Sequence, residues 1–474
     1  MAEKTTSLAW LDPILRMMPT VPRPRTPLPL GTRLLWTFVA ITIYLLLSLT
    51  PLFGVYGSRQ LIPLELYSVI FATSAGTLAH LGIGPIVIAG ILLEILVFSG
   101  ILNIDLEDPV EQLRFNALMK LLSLGIAALE ATVAVTVGIL RVRSPLLGFL
   151  VVLQLLGATL IILLLDDMIT NGWGIGSGIS LFILVSIART VVWYIFSPAV
   201  SPDGYPVGII PAIVIAALHG VLPPELIYSF YRGGTLVGLF STILMILFIL
   251  YLELLRVPIP LSITQMRGIK YTLPLRVMYV SVLPIIFTAF TLALFSGILR
   301  YIAIANMIGP GHPLSWLACV TTYGTRFVPC ENSVLYFLTT PPPPNITPQY
   351  VVVHIILYVV LCTVYAYLWV QIAGMSAEEQ AKYLVRSGLS IPGFRPNVKV
   401  VTRYLERYIN ALTITSGVLA GLVAAFGDLL QVFSGGIGLM LLVEIALQYY
   451  AIAMREHMFE MFPGLKRVLG IETI

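Results

Sequence analysis

The sequence has little charge. Only 11% of its 474 residues are Asp, Glu, Lys or Arg, against 58% hydrophobic, and the mean hydropathy is +0.96. A soluble domain carries about 25% charged residues. A chain this long with half that share cannot cover a water-soluble body, which excludes a large soluble enzyme. Cysteine is scarce as well: Cys319, Cys330 and Cys362 are the full set, with no Cys-x-x-Cys spacing, and the five histidines are scattered. No metal centre is expected from that pattern. There is no Gly-x-x-x-x-Gly-Lys-Ser/Thr loop to cradle nucleotide phosphates, and no Ser/His or paired-Asp constellation within the apolar runs for an intramembrane protease. No cofactor and no enzymatic activity are expected, so any driving force must come from outside the chain. A cleavable signal peptide is not expected either. The first strong apolar run starts near Leu34, behind Arg16, Arg23, Arg25 and Arg33, and no small-residue cleavage site follows it.

Long apolar runs are what the chain does have. About 20 apolar residues cross the hydrocarbon core as helix, and ten runs qualify, near 33–52, 81–101, 116–138, 146–165, 176–197, 234–255, 276–299, 350–371, 410–432 and 435–454. They lack strand alternation, and lipid offers a backbone no hydrogen-bond partner, so helix is the expected conformation. The fold class read here is all-α, a polytopic membrane protein of ten transmembrane helices in two halves, 1–233 and 234–474. With an even number of spans both ends lie on one side. If that side is cytoplasmic, most of the 27 basic residues fall inside, leaving Arg59, Arg141, Arg143, Arg189, Arg232, Arg300 and Arg326 outside. That bias predicts a multi-pass cell-membrane protein with both termini cytoplasmic.

Three segments do not fit simple spans. Leu8, Leu11, Leu15 and Met18 share one helical face, as in a helix lying along the membrane surface, and Pro22, Pro24, Pro27 and Pro29 then break the chain. Residues 64–75 are apolar but too short to cross, which suits a re-entrant or half-inserted helix. The outer stretch 300–349, with Pro341 to Pro344, reads as an ordered cap or a stiff loop. On the opposite side, loops 256–275 and 372–409 carry Arg256, Arg267, Lys270, Lys382, Arg386, Arg395, Lys399, Arg403 and Arg407. These make either a solvated positive-inside surface or a docking surface for a polyanion such as ribosomal RNA.

Three glycine-rich strings open spans. Gly82, Gly84 and Pro85 interrupt the start of the second, and Gly172, Gly174, Gly176 and Gly178 precede the fifth, with Gly435, Gly436 and Gly438 opening the tenth. Such residues allow close helix packing or irregular backbone beside a cavity. If these spans line a pathway, they present aliphatic groups to it.

Four motifs in order then carry a specific resemblance: Leu81-Gly-Ile-Gly-Pro-Ile-Val87; Asp166-Asp167 with Gly174-Ile-Gly-Ser-Gly-Ile179; Arg256-Val-Pro-Ile-Pro-Leu261; and Gly393-Phe394-Arg395. From roughly Leu30 to Glu456 the chain resembles the SecY family. That resemblance implies an hourglass pore between two pseudo-symmetric five-helix halves. It implies an aliphatic ring at the waist, here Ile83, Val87, Ile179, Ile183, Ile286 and Leu441. It implies a plug helix, here Leu64, Leu66, Tyr67, Val69, Ile70 and Phe71, within 64–75. It implies a lateral seam between spans two and seven, flanked by three and eight, here Ile88, Leu92, Glu130, Thr288 and Thr291. The ribosome would dock on Arg256, Arg267, Lys270, Arg395, Lys399, Arg403 and Arg407. Partners implied are SecE-type and β-type small membrane subunits, the ribosome, nascent polypeptides with signal sequences, and membrane lipid. The family often has an amide where Glu94 stands, and its usual asparagine in span seven is not apparent here.

The rival reading is a secondary transporter with inverted repeats that uses Glu94, Glu130 and Glu444 as an ion relay. No cluster of substrate-binding polar residues accompanies those acids. Cys319 and Cys330 fall eleven positions apart in the outer stretch, where oxidation is permitted, so a disulfide between them is a hypothesis; Cys362, inside a span, reads as a small core residue.

Overall fold

The computed structural model describes residues 18–26, 28–58, 73–98, 101–102, 104, 108–136, 138–200, 204–220, 223–229, 233–263, 270–280, 282–305, 307–323, 326–331, 333–338, 346–390 and 397–461. Among them, nine helices are long and apolar enough to cross a membrane. They are α1 (Leu30–Leu49), α3 (Pro109–Thr136), α4 (Pro145–Met168), α5 (Gly178–Phe196), α8 (Leu236–Leu254), α9 (Val282–Ala305), α11 (Pro348–Ile372), α13 (Val398–Leu429) and α14 (Gly435–Met461). The second apolar run of the sequence forms a shorter helix, α2 (Gly84–Phe98). Shorter still are α6 (Ile209–His219), α7 (Pro224–Ile227), α10 (Val334–Leu338) and α12 (Ala377–Arg386).

Several helices start where a side chain can satisfy a free backbone N–H. Ser144 accepts from Leu147 at the head of α4, Thr235 from Gly238 at α8, Thr347 from Tyr350 at α11 and Ser376 from Glu379 at α12. Proline occupies the first turn of α4 and α11, where its missing N–H is harmless. Along the spans, large apolar side chains point outward: Phe38, Leu46 and Leu49 on α1, and Phe240, Leu244, Leu247 and Tyr251 on α8, are exposed. In water such stripes would be an aggregation surface; in a bilayer they meet lipid.

Contacts divide the chain into two units, one of residues 1–60, 67–188 and 444–474, the other of 61–66 and 189–443. The first has a core in which Ala127, Ala131 and Ala134 of α3 meet Val151 and Leu155 of α4. Alanines at one-turn spacing let the two backbones approach. A two-stranded sheet, β1 (Val55–Ser58) with β2 (Leu140–Val142), closes the end of this core, pairing Val55 with Val142.

In the second unit α11 and α13 pack along most of their length, and a β-sheet sits against the start of α13. Its hairpin is β3 (Arg256–Ile263) with β4 (Lys270–Arg276), and β7 (Leu389–Ser390) pairs with the far end of β3. Ile259 and Leu261 alternate inward onto Ala377, Ala381, Leu384, Val401, Leu405 and Ile409. Proline is unusual in a strand because it lacks the ladder N–H. Here Pro258 stands opposite Pro274, a pairing that only a non-hydrogen-bonded position allows. The stretch 300–349 holds a second hairpin, β5 (Val320–Tyr323) with β6 (Arg326–Pro329), beside α10. Pro341 to Pro344 lie outside the described residues.

Candidate functional site

In the first unit the waist candidates open two helices. Ile83 is fully buried in the turn before α2, just after Gly82, whose φ of +57° lies in the left-handed region glycine adopts freely. Val87, one turn on, is half-buried. Ile179 and Ile183 stand four apart at the head of α5, hence on one face; Ile179 is half-buried and Ile183 buried. In the second unit Ile286 of α9 and Leu441 of α14 are 4% and 0% exposed.

The seam candidates divide by environment. Ile88 is half-buried and Leu92 exposed, and Ile95 extends the same stripe of α2 outward. Glu130 of α3 is half-buried. Thr288 and Thr291 face α11: the Thr288 hydroxyl donates to the Pro284 carbonyl at 2.8 Å and to Cys362 Sγ at 3.3 Å, and the Thr291 hydroxyl pairs with Tyr365 Oη at 2.6 Å. The plug candidates Leu64, Leu66, Tyr67, Val69, Ile70 and Phe71 lie outside the described residues.

Of the docking candidates, Arg267 and Arg395 also lie outside the described residues, and Lys270 opens β4. Arg256 begins β3, and its guanidinium donates to the carbonyls of Glu253 and Leu255 at the end of α8. Partial burial and the like charge of Arg276 pull its pKa below the usual arginine value, and Glu253 opposes that shift. Nearby, the Tyr279 hydroxyl donates to the Met375 carbonyl at 2.9 Å, and burial pushes that phenol up to about 12. Lys399, Arg403 and Arg407 are all exposed. They repeat every four residues, while Val401, Leu405 and Ile409, two positions on, carry the buried face. A two-residue step turns a helix by roughly 200°, so the three cations form one outward stripe. With 32 residues, α13 is about 48 Å long at 1.5 Å per residue, well beyond the roughly 30 Å hydrocarbon core. The stripe therefore rides on an extension of the ninth span.

The structure also holds arrangements that the sequence reading missed. Asp428 of α13 accepts from Tyr358 Oη at 2.7 Å and from the Gly436 N–H at 3.1 Å, and His354 stacks on Tyr350 with its Nε2 3.8 Å from Asp428. The only available signal was an acid near the end of a span. Lys120 of α3 pairs with Asp167 at the end of α4, and Asp166 beside it bonds to the head of α5. The pairing that the sequence raised as a hypothesis is present: Cys319 and Cys330 are disulfide-bonded, with Cα atoms 5.3 Å apart, and Cys362 is a buried free thiol. Among the described residues, no group of three or more His, Cys, Asp or Glu could hold a metal ion.

These features define a polytopic helical membrane protein whose candidate pathway residues are aliphatic. A SecY family model matches residues 77–450. The SecY protein translocase subunit of Saccharolobus solfataricus is 35% identical over 473 residues, covering 96% of this chain and 97% of that one. A solved protein-conducting channel superposes with a TM-score of 0.73 at 31% identity, covering 96% of this chain and 98% of the other. Sec61 in a canine ribosome-channel complex from the endoplasmic reticulum gives 0.70 at 29% identity, covering 96% and 98%. The chain belongs to the SecY family of protein translocase subunits. That family is a channel family without enzymatic activity, and the similarity supports the channel reading, not the transporter.

Proposed function

We propose that this chain is the central pore subunit of a protein-conducting channel, passing unfolded polypeptide across the membrane and releasing apolar segments sideways into lipid. The observation that carries the reading is the end-to-end similarity to a solved protein-conducting channel, which covers nearly all of both chains. Ile83, Val87, Ile179, Ile183, Ile286 and Leu441 form the waist of this pore, between pseudo-symmetric halves 1–233 and 234–474. The physics supports that role. A narrow aliphatic constriction dewets and opposes ions, yet its side chains hold no fixed hydrogen bonds and can rearrange around any threading residue. Segment 64–75 is the plug. The lateral seam uses Ile88, Leu92, Glu130, Thr288 and Thr291, and the outward stripe of Ile88, Leu92 and Ile95 gives an apolar segment a lipid-facing exit with the hydrophobic effect as its sorting energy.

The ribosome docks on the side that bears Arg256, Arg267, Lys270, Arg395, Lys399, Arg403 and Arg407. Its support is the exposed stripe on α13 and the similarity to a channel solved in a ribosome complex. SecE-type and β-type small subunits complete the assembly, in a cell membrane with both termini cytoplasmic, as the distribution of basic residues favours. The test is a stalled nascent chain and single cysteines at positions 83 and 179. Crosslinks to both are expected. Efficient translocation without a crosslink at either position would overturn the pathway.

A further inference from the structure

The loop that leads into α5 is held on every side. The Arg33 guanidinium of α1 donates from Nε to the Gly174 carbonyl at 2.9 Å and pairs through Nη1 with Glu456 of α14 at 3.1 Å. Thr37, one turn along α1, accepts from the Ile175 N–H at 3.1 Å. Tyr449 of α14 donates to the Ser177 carbonyl. Asp166 Oδ1, from the last turn of α4, accepts from the Ile179 N–H at 2.9 Å. The carboxylate thus does at the head of α5 what a local Ser or Thr does for α4, α8, α11 and α12. It reaches across thirteen positions of chain and brings a charge that suits a helix N-terminus.

The approach is close. A methyl on Gly178 would lie 2.6 Å from Asp166 Cα, so only glycine lets the end of α4 touch the start of α5. A methyl on Gly176 would lie 3.0 Å from the Tyr449 ring. Between the two helices the chain makes a π turn over Ile169–Trp173, with Gly172 at φ +104°. Asp167, the neighbour of Asp166, pairs with Lys120, while Asp166 meets Thr170 within the turn at 3.5 Å and the head of α5 at 2.9 Å.

The amide that Asp166 holds belongs to Ile179, a residue of the proposed waist. We propose that Asp166 is a positioning residue for the constriction: its carboxylate fixes the rotation and height of α5, and thereby aims Ile179 and Ile183 at the pathway. This inference rests on the pore reading given above. Without the acceptor, the first turn of α5 has an unsatisfied N–H and can rotate or fray, which withdraws aliphatic side chains from the seal.

The test uses the complete channel complex in planar bilayers, with resting ion conductance as the readout. Asp166→Ala should leak to an extent comparable with Ile183→Ser, because both open the same side of the waist. Asp166→Asn keeps an acceptor oxygen in place and should stay tight. That rescue distinguishes positioning from a general need for charge at the helix end. A leaky Ile183→Ser with a tight Asp166→Ala overturns the positioning role alone. A tight Ile183→Ser removes the waist reading and this inference with it. If both Asp166 variants leak equally, the hydrogen bond is not the operative contact and the proposal is wrong. Should Asp166→Ala not assemble, Gly178→Ala answers the same question by pushing Asp166 from the Ile179 amide. It should leak, and a tight channel would overturn the proposal.

Discussion

Gly421 of the ninth span packs against Val359 of the eighth so closely that a methyl on the glycine would lie 2.6 Å from the Val359 Cα. One turn earlier, Gly417 stands in the same relation to Thr363, at 2.7 Å. The clashing atoms are backbone, so no side chain can move aside and the helices themselves would have to separate. Gly421→Ala is therefore expected to lower stability by about 1–3 kcal/mol, the usual penalty for overpacking. At Gly125 of α3 a methyl would meet nothing within 4 Å, and Gly125→Ala should be neutral or stabilising by up to about 1 kcal/mol. Thermal unfolding of the purified complex in one detergent checks the contrast; equal shifts would mean that the close approach of the two helices is not limiting.

The waist makes a sharper prediction. Serine at a buried aliphatic position brings a hydroxyl that retains water, and a constriction that stays wet conducts. Ile83→Ser and Ile286→Ser, separately and together, should raise resting ion conductance, most in the double variant. Unchanged conductance in planar bilayers would remove these residues from the seal.

Much of this is legible in the sequence, because apolar length alone sets the spans and the spacing of Lys399, Arg403 and Arg407 is visible in one dimension. The β3–β4 sheet is not. Val257, Ile259 and Leu261 alternate as a strand should, but Pro258 and Pro260 between them argue against one, and the run sits between two spans where a loop is expected. What makes Pro258 tolerable is the non-hydrogen-bonded register that sets it opposite Pro274, a long-range pairing that local pattern does not encode. Asp166 is legible only as one of two adjacent acids at a helix end. Its bond to Ile179 depends on how the π turn folds α5 back. Likewise Asp428 is visible as an acid near a span end, while its hold on Tyr358, seventy positions away, and on Gly436 at the head of the next helix joins three helices.

The basic stripe predicts salt-sensitive ribosome binding. Arg403 and Arg407 are exposed and point away from the hydrophobic cluster, so reversing them leaves the packing of Val401, Leu405 and Ile409 intact. Arg403→Glu with Arg407→Glu should weaken ribosome co-sedimentation and reduce its salt dependence by about one slope unit for each phosphate no longer neutralised. Glu406→Lys, between them on the exposed surface, should strengthen it. No change in either direction would place the ribosome elsewhere.

The bond between Cys319 and Cys330 bears on the β5–β6 hairpin. The Cys330 N–H donates to the Cys319 carbonyl at 3.1 Å, just beyond the Val320–Pro329 pair, so the bridge closes the open end of β5 and β6. Such a bridge restricts the unfolded segment, and for a short loop it contributes about 2–3 kcal/mol. Cys319→Ser should loosen the hairpin by about that amount, seen as faster amide exchange over β5 and β6. Exchange in α13 should be unchanged, because stability falls locally where packing is sparse. Alkylation of the native protein under denaturing conditions, read by mass spectrometry, gives the redox state directly. Without reductant only Cys362 should be modified, and with reductant all three cysteines should be. Modification of Cys319 without reductant would show the thiols free, and the hairpin would then owe its order to its backbone ladder alone.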